Sequence, residues 1–303
     1  MQKNKSKKPG RREMRTYREL LNTGKKYLER AGIADWNTDA WLLLEHVSGM
    51  DRTRYFMEQN QIASETEEVE YLEFLEKRAA RIPLQQLTHE AWFFGLPFYV
   101  DENVLIPRQD TEILVEEILK ETEKKVSGSQ DSVKILDMCT GSGCILLSLL
   151  ANIKKAEGTG ADLSKKALEV ARKNGNRLKL KAEWRFSDLF SHIEGKYDII
   201  VSNPPYIASQ VIDTLMEEVR EHEPRMALDG KEDGLYFYRK LTKESGTYLR
   251  PGGLLVFEIG YDQGEAVSEM MRDALFEHVK VVKDLAGLDR VVTGRKKQED
   301  THV

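Results

Sequence analysis

The sequence predicts an α/β protein in which a mostly parallel sheet, with helices on both faces, follows a small bundle of helices. Two observations support this fold class. Apolar residues recur at helical spacing from about residue 16 to residue 86, and no strand pattern interrupts that region. After residue 132, short apolar strand-like segments alternate with helical ones, which is typical of parallel strands joined by crossover helices.

The helical bundle is predicted to span residues 16–88. Its third long helix opens at Ser64, which forms a capping box with Glu67. The residues expected on the apolar side of this helix are Val69, Leu72, Leu75 and Ala79.

A different pattern connects the bundle to the sheet. Between residues 89 and 106, short aromatic and β-branched runs are broken by Gly95 and Pro97 and end at Pro107. This pattern predicts a β-hairpin connector. The α/β domain is predicted to cover residues 107–296, and residues 297–303 are expected to be a disordered tail.

Strands and helices follow one another along the α/β domain. "VKILDM" predicts a buried strand and "CILLSLLANI" a helix; "GTGADL" ends the next strand, and "SKKALEVARKNGNRL" predicts a helix capped by Ser164. "AEWRFSD", "YDIIVSN" and "GGLLVFEIG" predict further strands. "HVKVVKDLAGLDRVVTG" predicts two strands joined by a turn at Gly287 to Asp289.

The distribution of charge argues against a broad nucleic-acid interface. Residues 1–15 hold seven Lys or Arg and one acid, and therefore contribute +6 to a net charge of −5, which leaves −11 for the other 288 residues. An acidic body is atypical of nucleic-acid binding. The basic segment at residues 1–15 is predicted to be a disordered, solvated tail.

Other compositional features exclude several classes of protein. No apolar run reaches membrane-spanning length, and the N-terminus lacks the apolar core of a signal peptide. Cys139 and Cys144 form neither a disulfide framework nor, with the six scattered histidines, a zinc signature. These features predict a protein of the reducing cytoplasm, without a metal.

A glycine-containing loop follows the first strand of the predicted sheet. In "ILDMCTGSGC", Asp137 ends the strand, Gly141 and Gly143 lie in the loop, and a helix follows at once. Glycines let a backbone approach a ligand closely, and a helix N-terminus offers unpaired N–H groups. The spacing differs from a dinucleotide fingerprint and resembles the loop of S-adenosylmethionine-dependent methyltransferases, with Cys139 in place of the first glycine. A tight turn without a ligand is the alternative for this motif alone.

Two acids follow later strands and are candidate ligands of a nucleoside. Asp162 ends the second strand, 25 residues after Asp137, where a carboxylate can accept both ribose hydroxyls. Its alternative is an acid that serves the following helix dipole, although Ser164 already provides the cap. In "FSDLF", Asp188 could accept from an adenine amino group and Leu189 could cover the ring; a solvated acid is the alternative.

The segment "SNPPYI" ends the fourth strand. Two consecutive prolines remove two N–H donors and leave carbonyl acceptors. The Asn203 carbonyl and a backbone carbonyl can receive both hydrogens of a substrate –NH2, and Tyr206 can stack on a planar group. Because ligands of open α/β sheets bind at the carboxyl ends of the strands, this turn and the glycine loop are expected to share one crevice. A rigid turn without catalytic function is the alternative.

The chain as a whole, from about residue 16 to residue 296, resembles the protein-(glutamine-N5) methyltransferases that modify peptide-chain release factors. The segments that carry the resemblance are "FFGLPFYVDENVLIPRQDTE", "VSNPPYI", "EPRMALDGKEDGLYFY" and "LAGLDRVVTG". The signature from Pro107 to Glu112 is the most discriminating, since the N-P-P-Y motif also occurs in adenine-N6 methyltransferases of DNA and RNA.

The resemblance implies a Rossmann-like class I methyltransferase sheet and a function. S-adenosylmethionine would donate a methyl group to the glutamine of the release factors' Gly-Gly-Gln motif, leaving S-adenosylhomocysteine and modulating translation termination. Release factors would be recognised through residues 16–88. The expected protein is monomeric, with no membrane or nucleic-acid partner.

The resemblance also assigns roles to residues. The cofactor site would comprise Cys139, Thr140, Gly141, Ser142, Gly143, Asp162, Asp188, Leu189 and Asn203. The substrate glutamine would be held by Asn203, Pro204, Pro205 and Tyr206, with catalysis by Asn203, Pro204 and Tyr206. Two positions depart from the family. Cys139 replaces a glycine, so a backbone with φ above 0° would be strained there, and the conformation is expected to tolerate a small side chain. Lys231 replaces the second glycine of "DGG" and is interpreted as loop variation.

Two other functions compete with this one. An adenine-N6 methyltransferase of DNA or RNA could use the same pocket, but the acidic body disfavours it. A Rossmann-like adaptor that binds a nucleotide or a partner without chemistry would have no reason to keep both Asn203 and Tyr206.

Overall fold

The computed structural model describes residues 14–126 and 132–298. The chain divides into two compact units, and the division falls after Thr88. Each unit has its own apolar core. The tails predicted at residues 1–15 and 297–303 lie almost entirely outside the described residues. No helix within the described ranges is both long and apolar enough to cross a membrane.

The N-terminal unit consists of helices. Their bounds are α1 (Tyr17–Arg30), α2 (Trp36–Ser48), α3 (Arg52–Glu58), α4 (Glu65–Ala79) and α5 (Leu84–Thr88). The predicted capping box is confirmed, since Glu67 N donates to Ser64 Oγ at 3.2 Å and Ser64 N donates to Glu67 Oε2 at 2.8 Å. The sequence analysis predicts neither α3 nor α5, because helices of seven and five residues are too short to display a period.

The buried face of α4 differs from the predicted one. Val69 is 42% exposed, so its assignment to the apolar side is wrong. The buried positions are Glu68, Tyr71, Leu75 and Arg78. Arg78 Nε donates to Asp39 Oδ2 at 2.7 Å, and Glu68 Oε2 accepts from Arg15 N at 3.3 Å. A hydrophobic pattern misses this face because charged side chains can be buried when they are paired.

A β-hairpin begins the C-terminal unit, as the connector pattern predicts. Its strands β1 (Ala91–Phe93) and β2 (Leu96–Phe98) pair in antiparallel fashion. Phe94 and Gly95 join them with φ angles of 49° and 72°, the left-handed conformation that a two-residue hairpin turn favours. Phe94 N also donates to Glu112 Oε1 at 2.8 Å, which ties the turn to the signature that follows.

Seven strands form the sheet of the C-terminal unit. They are β3 (Val133–Met138), β4 (Ala156–Asp162), β5 (Glu183–Phe186), β6 (Tyr197–Ser202), β7 (Leu249–Glu258), β8 (Phe276–Lys283) and β9 (Asp289–Lys296). Their order is β5-β4-β3-β6-β7-β9-β8. Neighbours from β5 to β7 run parallel, and β9 is antiparallel to β7 and β8. The predicted parallel-dominated α/β sheet is confirmed.

Helices cover both faces of this sheet. Their bounds are α6 (Glu112–Val126), α7 (Cys144–Asn152), α8 (Lys165–Leu178), α9 (Glu217–His222), α10 (Arg225–Leu228), α11 (Tyr236–Tyr248) and α12 (Gly264–Asp273). The core on one face includes α6 and α7, and the core on the other includes α11 and α12. Adjacent β3 residues point to opposite cores: Ile135 joins the first, and Leu136 the second.

The order of the strands places a crevice beside β3. After β3 the chain adds β4 and β5 on one side of it, and then β6 and β7 on the other. A crevice therefore opens at the carboxyl ends of β3 and β6, which is the usual ligand site of an open α/β sheet. The Cys139 loop follows β3, and Asn203 follows β6.

Candidate active site

A cavity of about 1000 Å³, counting the solvent at its mouth, lies at the carboxyl ends of the parallel strands. The predicted site residues that line it are Cys139, Thr140, Gly141, Ser142, Asp162, Asp188, Leu189, Asn203 and Pro205. Gly143, Pro204 and Tyr206 are not among the lining residues. The fold thus brings all four predicted motifs to one site.

The glycine loop is held by hydrogen bonds at its base. Thr140 Oγ1 donates to Asp137 Oδ2 at 2.6 Å, and Thr140 N donates to the Ala161 carbonyl at 3.0 Å. Gly141, with φ 53°, has open space where a side chain would begin, whereas a Cβ on Gly143 would approach Trp184 to 2.9 Å. Gly141 therefore leaves room for a ligand, and Gly143 lets the loop pack against Trp184.

Cys139 occupies a backbone conformation that favours glycine. Its φ is 60°, so the strain expected for a side chain at this position is present. The half-buried side chain packs against the apolar core that includes Leu136 and Tyr238. Burial raises the pKa of the thiol, which keeps it neutral. Cys139 therefore presents the cavity with a small, uncharged group.

Asp162 connects the glycine loop to the next helix. Its Oδ2 accepts from Gly141 N at 2.9 Å, and its Oδ1 accepts from Ser164 N at 2.8 Å. Burial raises the pKa of the carboxyl, and the backbone hydrogen bonds oppose that rise. Ser164 Oγ accepts from Ala167 N at 3.1 Å and is the predicted cap. Because a carboxylate has about four acceptor sites, Asp162 retains capacity for a ligand after these two bonds.

Asp188 and Leu189 line the cavity beyond β5. Asp188 is exposed and Leu189 is buried. Leu189 has a φ of 48°, which is unusual for a branched side chain and typical of ligand sites, where the surrounding structure imposes strain. An exposed carboxylate beside an apolar side chain suits a planar, amino-bearing ring.

The "NPPY" turn is fixed by side chains from other elements. Ser202 Oγ donates to the Met138 carbonyl at 2.6 Å, which joins the ends of β6 and β3. Gln263 Nε2 donates to the Tyr206 carbonyl at 3.0 Å. Tyr206 is half-buried beside the α11–α12 core, and burial raises the pKa of its phenol. The turn is therefore rigid at both ends, and Tyr206 stays uncharged.

The end of α10 and the segment that follows it pack tightly on the same turn. Ile207 N donates to the Leu228 carbonyl at 3.0 Å, and Gly230 N donates to the Ile207 carbonyl at 2.8 Å. A Cβ on Gly234 would lie 2.3 Å from the Tyr206 carbonyl oxygen, and one on Gly230 would lie 2.8 Å from the Tyr206 backbone. Only glycine allows so close an approach at these two positions.

The signature from Pro107 to Glu112 contacts several elements around the cavity. Arg108 Nη2 donates to Glu223 Oε1 at 2.6 Å, and Arg290 Nη2 lies 3.5 Å from Asp110 Oδ2. Pro107, Arg108 and Thr111 line the cavity. The signature therefore forms one wall of the site, a placement that the sequence analysis does not predict.

Glu258, at the end of β7, is a further buried acid close to the site. It is 2% exposed, and burial raises the pKa of its carboxyl to about 7. The nearby side chains of Thr111 and Asn203, and the positive charge of Arg290, oppose that rise in pKa. Sequence analysis assigns no role to Glu258; an acid that ends the apolar strand "LLVFE" is the signal that could have identified it.

Metal-binding groups are not found in the described part of the chain: no cluster of three or more His, Cys, Asp or Glu side chains is placed to hold an ion. Cys139 and Cys144 are free thiols.

Comparisons with known proteins match both units. Residues 19–88 match the family described as "PrmC N-terminal domain", and residues 109–231 match "Methyltransferase small domain". The release factor glutamine methyltransferase of Caulobacter vibrioides is 42% identical over 275 residues, which cover 90% of this chain and 93% of that protein. The release factor glutamine methyltransferase of Agrobacterium fabrum is 39% identical over 278 residues, which cover 91% of this chain and 96% of that protein.

A solved structure gives a more partial match. The crystal structure of the protein-(glutamine-N5) methyltransferase (release factor-specific) from Alicyclobacillus acidocaldarius is 28% identical, with a TM-score of 0.40, over 66% of this chain and 99% of that one.

Proposed function

The chain belongs to the release factor glutamine methyltransferase family, and on that premise we propose that it methylates the side-chain amide nitrogen (N5) of the glutamine in the Gly-Gly-Gln motif of release factors. Methyl transfer to this glutamine modulates translation termination. The observation that carries the proposal is the "NPPY" turn, of which Asn203 and Pro205 line the cavity. The chain that holds it is 42% identical to a named member over 90% of its length.

The residues around the cavity fit S-adenosylmethionine as the methyl donor. Asp162 offers carboxylate oxygens for ribose hydroxyls, Asp188 an acceptor for the adenine amino group, and Leu189 an apolar cover. Gly141 leaves open space beside them, and the fully buried Asp137 has an oxygen, Oδ1, without a partner among the described residues. When bound, the cofactor supplies a methyl group on a sulfonium; S-adenosylhomocysteine is the product.

Asn203 and Pro204 would orient the substrate amide. The Tyr206 carbonyl already accepts from Gln263, so we assign the backbone acceptor to Pro204. The Asn203 and Pro204 carbonyls would each accept one amide hydrogen, and Pro205 and Tyr206 would flank the amide plane. Two acceptors on one side aim the nitrogen lone pair at the methyl group; such positioning is worth about 7–11 kcal/mol of the barrier. They also stabilise the positive charge that develops on nitrogen.

We assign substrate recognition to residues 16–88, connection to the hairpin at residues 89–106, and catalysis to residues 107–296. The enzyme is proposed to act as a monomer in the cytoplasm, where release factors work and where Cys139 and Cys144 remain reduced.

Transfer of labelled methyl from S-adenosylmethionine to a purified release factor tests the function. Label is expected on the wild-type factor and not on one whose Gly-Gly-Gln glutamine is changed to alanine. Adenine-containing DNA and RNA are assayed in parallel, because an adenine-N6 methyltransferase would share the pocket. Label on nucleic acid, or label that does not depend on the glutamine, would overturn the proposal.

A further inference from the structure

Glu258 and Asn203 lie at neighbouring positions of two parallel strands. In the pairing of β6 with β7, Ser202 is opposite Phe257. The next residues along the two strands are Asn203 and Glu258, so both side chains leave the sheet at the same edge and on the same face. Among the residues of β7, Glu258 is therefore the one placed beside the "NPPY" turn.

The Glu258 carboxyl has no access to solvent and few partners. It is 2% exposed, and its Oε2 atom has no hydrogen-bond partner among the described residues. The side chains that lie close enough to lower the pKa of this carboxyl are those of Thr111 and Asn203. A buried carboxyl that is not fully paired is costly, and such groups are commonly kept for function.

An asparagine side chain has two ends, and only one of them can serve methyl transfer. The NH2 end donates and the Oδ1 end accepts, so which end faces the substrate is decided by the neighbours. A carboxylate on one side of the amide attracts its NH2 end. Oδ1 then faces the opposite side.

We propose that Glu258 is a positioning residue: it binds the NH2 end of Asn203 and thereby presents Oδ1 to the substrate amide. This inference rests on the proposed function and deepens it. Glu258 does not line the cavity, so it acts on the reaction through Asn203.

The protonation state of Glu258 then controls the rate of transfer. An ionised carboxyl only accepts, whereas a protonated one can donate to Oδ1 of Asn203 and turn the amide around. Burial raises the pKa of this carboxyl to about 7. The charges of Asp110 and Arg290 act on the Glu258 carboxyl. Its own charge in turn affects the pKa of three neutral groups nearby, those of Tyr206, Tyr238 and Cys144. The transfer rate should therefore fall about tenfold between pH 8 and pH 6.

Single-turnover methylation by the full-length enzyme tests the proposal. Glu258→Ala is expected to lower the rate at pH 8 about 100-fold, while the Kd for S-adenosylhomocysteine changes less than twofold. Glu258→Gln resembles the protonated carboxyl, because its NH2 group can donate to Asn203 Oδ1. Its rate is therefore expected to lie about tenfold below wild type at pH 8 and to lose the fall toward pH 6, because a glutamine does not titrate. Glu265→Gln, on the surface of α12, is the matched control.

Two results would overturn the proposal. One is a Glu258→Gln variant whose rate still falls tenfold toward pH 6. The other is a Glu258→Ala variant that loses cofactor affinity as much as rate. If Glu258→Ala does not fold, the pH dependence of the rate of the isosteric Glu258→Gln variant tests the proposal by itself.

A spectroscopic readout separates this proposal from the proposed function. The side-chain NH2 resonances of Asn203, assigned by their loss in Asn203→Ala, should shift with pH around 7 in wild type and not in Glu258→Gln. If the wild-type enzyme does not methylate a release factor, the proposed function is contradicted, but the role of Glu258 in orienting Asn203 is not. Resonances of Asn203 that do not titrate would sink the role of Glu258.

Discussion

At the scale of single residues, Cys139 and Lys231 occupy conformations that glycine adopts without strain. Their φ angles are 60° and 72°. The sequence analysis anticipates strain at Cys139, but it treats Lys231 as loop variation, whereas the structure shows a left-handed backbone there too. A side chain in this region costs about 1–2 kcal/mol. Cys139 lies in the glycine loop and Lys231 adjoins the "NPPY" turn, so the surrounding contacts hold the strain in place.

Replacement of Lys231 by glycine should stabilise the protein. Relief of the left-handed strain, about 1–2 kcal/mol, exceeds the entropic cost of a glycine, about 0.5–1 kcal/mol, which leaves a gain of about 0.5 kcal/mol. The partly exposed Lys231–Asp229 ion pair, at 3.6 Å, contributes little to stability. Denaturant unfolding measures the change. Lys243→Gly, at an exposed position inside α11, is the control and should lose about 1 kcal/mol. Equal losses in both variants would contradict the prediction.

Asn203→Ala should separate binding from chemistry. The loss of one acceptor for the substrate amide should lower kcat by about 100- to 1000-fold. The affinity for S-adenosylhomocysteine should change only a few-fold, since the loop and Asp162 remain. Calorimetry and methyl transfer measure the two quantities. Asn152→Ala, which removes an amide that donates to the Ser148 carbonyl in α7, should change neither. Parallel loss of affinity and kcat in Asn203→Ala would make the turn structural.

The positions of site residues at the ends of strands could be predicted from the sequence. The residues that contact and support these site residues could not. Asp162 ends β4 and Asn203 follows β6, so their positions at the crevice could be predicted from local sequence. Arg108 and Glu223 meet across 115 positions of sequence, and Glu258 lies beside Asn203 only because β6 and β7 are neighbours. Strand order is a property of the whole sheet, and local pattern does not encode it.

At the scale of elements, the Arg108–Glu223 ion pair holds the segment before α10 against the signature wall. The Arg108 side chain is 41% exposed, whereas that of Glu223 is 1% exposed and its Oε2 has no partner among the described residues. Burial raises the pKa of Glu223, and Arg108 opposes the rise. Loss of the arginine would leave a buried carboxyl without its cation.

Arg108→Met should therefore destabilise the protein in a pH-dependent way. Without Arg108, the folded-state pKa of Glu223 would rise further above its unfolded value, near 4.5. A raised folded-state pKa contributes stability at pH values below the unfolded pKa, and this stability is lost as the pH rises through the folded-state pKa. Because Arg108 is partly exposed, we expect a loss of about 1–3 kcal/mol at pH 8 and much less at pH 4.5. Denaturant unfolding at both pH values measures it.

The double variant Arg108→Met/Glu223→Gln is the control for this ion pair. It removes the buried charge and should recover most of the stability lost at pH 8. A loss in Arg108→Met that is the same at both pH values would show that packing of the arginine stem, rather than charge, holds the segment.

A local sequence pattern predicts the central strands of the sheet better than the buried face of α4. The strands β3, β6 and β7 could be predicted because most of their residues are apolar and buried on both faces of the sheet. The buried face of α4 could not be predicted in this way, because Glu68 and Arg78 are buried through ion pairs while Val69 is exposed. A hydrophobic period identifies a helix there, but partners from other helices decide which side is buried.

At the scale of the whole molecule, the two units have independent cores. The core of the N-terminal unit is built from residues 17–87, and every residue that lines the cavity lies between residues 103 and 237. The cavity, and with it the proposed cofactor site, is thus contained in the C-terminal unit. If residues 16–88 recognise the release factor, the two tasks should be separable by truncation.

A chain that begins at His89 should fold and bind S-adenosylhomocysteine with a Kd within about threefold of the full-length value, because its cores and cavity are complete. Its kcat/KM toward an intact release factor should fall by more than about tenfold, since contacts remote from the reacting amide supply binding energy. A short Gly-Gly-Gln peptide is the control, and both forms should methylate it at the same low rate because it engages only the cavity. Equal kcat/KM of the two forms on the intact factor would show that the C-terminal unit recognises its substrate unaided, and residues 16–88 would need another role.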